Sequence, residues 1–204
     1  MPLIELLIRV LYDPLPEAPT EGAYLFGQTV DNEQSVFATA VDLINRHQAR
    51  RLLIPDSSPR CGYPGFRAWH QALVGLGLGE TTITGIPTAS YPTLNTLIEA
   101  VAVVRYARQE NITSIFVAAP PFHQLRAFMT TVSVALQEFP ELQIYNRVGM
   151  ALPWPETVFH SQGTLECRRS DLIHSELERI ERYQAKGDLA STAEILDYLN
   201  QRAS

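Results

Sequence analysis

Cysteine is scarce. The 204 residues hold two, Cys61 and Cys167, with no Cys-x-x-Cys pair and no metal-ligand spacing. This excludes a disulfide framework and a cysteine-built metal centre, and it fits a reducing, cytoplasmic compartment. Positive charge is also short: 16 Lys and Arg stand against 22 Asp and Glu, a formal net charge of −6. A general nucleic-acid surface needs a basic stripe and is excluded; a local basic pocket is not. Long apolar runs are missing too. The most apolar terminus, "MPLIELLIRVLYDP", is interrupted by Glu5 and Arg9 and falls short of the roughly 20 apolar residues of a membrane span. It lacks the basic start and cleavage site of a signal peptide, and reads as a strand or helix docked on the domain, with a weak membrane-surface contact as the alternative.

Several motifs are absent as well. There is no GxGxxG, no GxxxxGK[ST] and no GxSxG, so neither a dinucleotide fingerprint, a P-loop nor a nucleophile elbow is present. His47, His70, His160 and His174 have no pairwise metal spacing and read as structural; no metal site is expected. We find no internal repeat and no low-complexity tract.

What remains is an alternation of short apolar runs with helical patterns. Strands are expected at 23–27, 51–55, 81–84, 114–119 and 142–148. Helices are expected at 33–48, 66–76, 98–109 and 125–139, where apolar residues recur at helical spacing. The alternation implies a Rossmann-like α/β sandwich: a mainly parallel sheet with helices on both faces. Pro153-Trp154-Pro155 breaks into a helical C-terminal appendage. It holds one helix over 171–186 and a shorter one opened by a Ser191/Glu194 capping box. The whole chain reads as a single domain, 1–204, with a core of about 20–150 and a tail of about 151–204.

In an open parallel sheet, ligands bind outside the carboxyl ends of the strands, where helix N-termini converge. Four loops qualify: 27–31, 56–60, 88–96 and 120–126. In the last, Pro120 and Pro121 stop the strand, and His123 and Arg126 follow one turn apart. A neutral imidazole and a planar guanidinium there suit phosphate or carboxylate. The competing reading has His123 bonding a nearby carbonyl and Arg126 pairing with an acid or snorkelling. In the loop before, Asn95 offers an amide to a ligand while Glu99 orients Arg126 or His123 or, more weakly, acts as a base. Thr96 and Glu99 equally have capping-box spacing. Gly27, Asp31, Asp56 and Ser57 complete the candidates. Each Asp suits a metal, a ribose hydroxyl or a proton, or else caps the next turn.

"NTLIEA" followed by "APPFHQLRAF" resembles the paired hallmarks of the YdcF/SanA/ElyC-like family of bacterial proteins, in which Asn-Thr-x-x-Glu-Ala precedes a strand ending in a His-x-x-Arg-Ala motif. The resemblance spans about 23–148. It departs at the first two loops, which lack the family's glycines, and in the N-terminal anchor many relatives carry. It implies a Rossmann-like fold and a largely unsettled role: one branch is linked to S-adenosylmethionine, others to envelope or peptidoglycan-lipid physiology.

The sequence therefore leads to a protein that binds a small anionic, nucleotide-like molecule, with S-adenosylmethionine a candidate cofactor. Arg126 holds the charge, His123 hydrogen-bonds or shuttles a proton, Asn95 orients the ligand with Thr96 as a further binding residue, and Glu99 positions the cationic pair. One alternative is a transferase or hydrolase acting on a phosphorylated or lipid-linked sugar, with His123 as acid/base and Arg126 stabilising developing charge. Another is a non-catalytic interaction protein using the tail. Oligomeric state stays open.

Overall fold

The computed structural model describes residues 2–88, 93–160 and 164–203. The N-terminal segment is a helix, α1 (Pro2–Leu11), docked by Leu6 and Val10. Five strands follow: β1 (Gly22–Leu25), β2 (Leu52–Asp56), β3 (Ile83–Pro87), β4 (Ser114–Ala118) and β5 (Gln143–Asn146). They form one fully parallel sheet in the order β3-β2-β1-β4-β5. The connecting helices are α2 (Glu33–Asn45), α3 (Phe66–Gly75), α4 (Thr96–Gln109) and α5 (Pro121–Glu138). This is the α/β sandwich that the alternation of patterns implied.

Alternation along each strand divides the interior in two. Tyr24, Leu53, Ile115 and Val117 face a core shared with α1, α4, α5 and the C-terminal helices. Ala23, Leu25, Leu52, Ile54, Phe116 and Ala118 face a second core under α2 and α3, centred on Phe37 and Trp69. Helix α5 is covered all round: every residue from Phe122 to Ala135 is buried. Three of its hydroxyls are satisfied within the helix, those of Thr130, Thr131 and Ser133 each donating to the carbonyl four residues back.

The tail differs from expectation. Before its helices comes an antiparallel ribbon, β6 (Thr157–His160) with β7 (Leu165–Arg168). Four-residue strands carrying Glu166 and Arg168 give too little alternation to read. The helices α6 (Asp171–Ala185) and α7 (Thr192–Arg202) follow, and the Ser191/Glu194 capping box is formed. Leu172 and Ile180 of α6 are fully buried, so the tail packs on its own domain. Several boundaries also move. The third strand lies at 83–87, behind a 3-10 turn at 80–82. Helix α5 starts at Pro121, which tolerates the first helical position because it has no N–H to satisfy. Helix α4 starts at Thr96. Among the described residues, no helix is long and apolar enough to cross a membrane.

Candidate functional site

The strand order reverses at β1, whose neighbours on either side are β2 and β4. At such a switch point the flanking loops diverge and leave a crevice. A hollow of about 350 Å³ opens there. Gly27, Gln28 and Thr29 line it after β1, and His123 and Arg126 line it from the first turns of α5. Asn95, Thr96 and Glu99 enter from the start of α4. Cys61 and Tyr63 form one wall, while His160 and Arg179, Arg182 and Tyr183 of α6 form another. Its size suits a small ligand.

Glu99 is almost fully buried, and its Oε1 accepts from the Gly27 amide at 2.7 Å and the Tyr24 hydroxyl at 3.2 Å. Burial pushes this carboxyl up to about 8, against those two hydrogen bonds and the charge of Arg126. At neutral pH it is mostly protonated. The Thr96–Glu99 capping box is not formed. Asn95 is the N-cap, its Oδ1 accepting from the Ile98 amide at 3.0 Å, which frees Glu99 to reach across to β1. Glu99 therefore makes no hydrogen bond to Arg126 or His123, contrary to expectation. Asn95 spends its carbonyl oxygen on the cap, so only its amide nitrogen is left to offer a ligand.

His123 is buried between two partners: its Nδ1 lies 3.4 Å from Gln28 Nε2, its Nε2 3.0 Å from Thr96 Oγ1. Burial, reinforced by the neighbouring Arg126 charge, pushes the imidazole well below its ordinary value and keeps it neutral at pH 7. Arg126 donates from Nη1 to Thr96 Oγ1 at 2.6 Å and grips Glu176 of α6 with Nε and Nη2. Glu176 also accepts from Arg179, and His160 Nε2 lies 3.4 Å from it. Burial alone would raise the Glu176 carboxyl, but the Arg126 charge and the His160 contact outweigh it and hold it well below the usual carboxylate range.

The charge balance of the hollow is the reverse of the chain's. Arg126, Arg179 and Arg182 face one ionised carboxylate, Glu176, while Glu99 is largely neutral and the chain carries −6.

Three sequence candidates lie elsewhere. Asp31 is exposed, and its Oδ2 accepts from the Phe159 amide at 2.7 Å, anchoring β6. Asp56 ends β2 exposed, with its carbonyl taken by Thr88. Ser57 is buried, its hydroxyl donating to the Ser58 carbonyl. None of the three lines the hollow. Residues 89–92 of the third candidate loop lie outside the described residues.

The helix expected at 171–186 is present as α6, but its part in the hollow was not expected. His160, read as structural, and Glu176, Arg179 and Arg182 all reach the site; the last three recur every third residue along α6, a one-face spacing that alone does not tell a site from a solvated face. Among the described residues no group of three or more His, Cys, Asp or Glu side chains is placed to hold a metal ion. Comparison of the chain with protein-family models, with curated proteins and with solved structures found no match.

Proposed function

We propose that the hollow at the strand ends binds a small anionic molecule, with a phosphate-bearing, nucleotide-like compound the best fit. One observation carries this reading: three guanidiniums converge on a polar hollow at the sheet's switch point, in a chain that is otherwise acidic. A fixed, partly desolvated cationic cluster attracts an anion more strongly than the same charges do in open water. The size of the hollow and its excess of guanidinium charge over the one carboxylate of Glu176 favour a small phosphate or carboxylate group over larger partners. The resemblance of "NTLIEA" and "APPFHQLRAF" to the YdcF-like family supports the same reading, since both stretches supply hollow-lining residues. S-adenosylmethionine fits less well, because its sulfonium cation would enter beside three arginines.

The transferase or hydrolase reading has weaker support. Both nitrogens of His123 are engaged by Gln28 and Thr96, so neither is turned to a substrate as an acid/base group would be. The reading that assigns the tail to a partner loses ground because α6 forms a wall of the hollow.

A thermal-shift panel of nucleotides, sugar phosphates and adenosyl compounds tests the proposal. A ligand at one hundred times its dissociation constant should stabilise the fold by about 2.7 kcal/mol. Arg182→Ala, on the exposed rim, should leave the unliganded melting temperature unchanged and shrink that shift. No shift with any anion, or an unchanged shift in the variant, argues against the proposal.

A further inference from the structure

The hydrogen bonds around His123 have a direction, and it ends in the hollow. The Phe26 carbonyl can only accept, so the Gln28 amide must present its nitrogen there, as it does at 3.1 Å. That same nitrogen faces His123 Nδ1. A donor on one side requires an acceptor on the other, so Nδ1 is the unprotonated nitrogen and the neutral ring carries its hydrogen on Nε2. Nε2–H then donates to Thr96 Oγ1. The same oxygen already accepts from Arg126 Nη1, which has no other role than donor. Both lone pairs of the Thr96 hydroxyl are now filled. Its own hydrogen must be donated outward, and among the described residues no acceptor meets it. Thr96 is itself nine-tenths buried, and it lines the hollow.

We infer that the Thr96 hydroxyl is the specificity-determining donor of the hollow, aimed by the Gln28–His123 relay at an unesterified oxygen of a phosphoryl or carboxylate group. The inference rests on the anion-binding reading above and sharpens it. A ligand must bring an acceptor oxygen, and a hydroxyl-bearing neutral sugar gains less, because its oxygen carries no charge to strengthen the bond. Arg126 acts on the same atom from behind. By donating to Oγ1 it polarises the O–H bond and strengthens the hydroxyl as a donor. His123 is a positioning residue under this arrangement, because it acts on the ligand through Thr96.

Two measurements test the assignment. In wild-type protein carrying 15N-labelled histidine, a long-range 1H–15N spectrum reports the tautomer of His123, assigned by its loss in His123→Gln. The Nε2–H form is expected; the Nδ1–H form would turn the Thr96 hydrogen back onto the ring and overturn the inference. This readout needs neither ligand nor a Thr96 variant. In the second, inorganic phosphate is titrated into wild type, Thr96→Ser and Thr96→Val by calorimetry. Serine keeps the hydroxyl and should bind within about threefold of wild type, whereas valine should lose at least about tenfold, the scale of a hydrogen bond to a charged group. Equal binding by Thr96→Val sinks the donor role and leaves the anion reading standing. Wild type that does not bind phosphate at all overturns the anion reading, and the donor role with it.

Discussion

The guanidinium of Arg126 and the carboxylate of Glu176, 50 positions apart in the chain, form a buried two-pronged pair that fastens α6 against α5. The Arg126 guanidinium holds Glu176 ionised well into the acid range, so around neutral pH the pair is a fixed charge contact. It joins the two halves of the hollow, since Arg126 enters from the sheet side and Glu176 sits behind Arg179 on the tail side. The shape of the hollow and the docking of the tail thereby depend on the same contact.

Glu176→Ala should be among the most damaging single changes in the protein. It leaves Arg126 buried without its partner, and breaking one side of such a pair costs about 3–5 kcal/mol. The carboxyl is depressed in the folded state, so its stabilisation is present above the ordinary carboxylate range and is lost as pH falls through the depressed value. Wild type should therefore lose stability in acid more steeply than the variant. Urea unfolding at pH 7 and across the acid range measures both effects.

Ser191→Ala should cost about 1 kcal/mol, the usual loss at an N-cap. The Ser191 hydroxyl accepts from the Glu194 amide, and the Glu194 carboxylate accepts from the Ser191 amide at 2.8 Å. The position is remote from the hollow, so anion binding should be unaffected while the urea midpoint falls.

Much of this was readable in the residues. β4 is a continuous apolar run because both faces of the sheet are covered, and Pro120-Pro121 marks its end unambiguously. The rule of strand ends then led directly to His123 and Arg126. The same rule placed Asp31 and Asp56 beside them, and there it failed. It selects the edge of the sheet but not which helical layer a loop leans toward, and these residues belong to the α2 and α3 side and to the β6 anchor. Glu99 lines the hollow as expected, but neither role read for it from spacing is formed: Asn95 captures the cap first, and the buried carboxyl takes its donors from Tyr24 and Gly27 rather than from Arg126 or His123. Glu176 and Arg179 were out of reach for a different reason. A charged residue on an amphipathic helix looks solvent-facing until another helix, packed over it, closes the surface.

Gly27→Ala probes how tightly the floor of the hollow is built. A Cβ there would lie 3.3 Å from the Tyr63 ring and 3.4 Å from both Glu99 Oε1 and Leu94. Only the Tyr63 contact is tighter than packed side chains normally accept, so its ring must shift by a few tenths of an ångström, while Glu99 and Leu94 are just in contact. The expected cost is about 1 kcal/mol, the low end of overpacking, together with weaker phosphate binding as the new methyl group enters the space beside Glu99. A melting curve and a phosphate titration on the same variant check the two parts. Full stability with unchanged binding would mean the floor is looser than these distances require.

Glu99→Gln separates the neutral carboxyl from every other titrating group. The folded-state value of about 8 lies above the ordinary carboxylate value, so between the two the folded protein keeps a proton that the unfolded chain has released. Stability from this group is thus complete in acid and falls as pH rises toward 8, after which the loss levels off. Buried neutral His123 works in the opposite sense below its ordinary value, so the wild-type curve alone mixes the two. Glutamine keeps an oxygen for the Gly27 and Tyr24 donors and places an N–H where the protonated carboxyl has its O–H, but it cannot ionise. The variant should match wild type near pH 4 and exceed it at pH 8.5, with the gap opening between. Urea midpoints measured on both proteins across that range give the difference directly, and two parallel curves would mean that Glu99 is already ionised in the folded state at neutral pH.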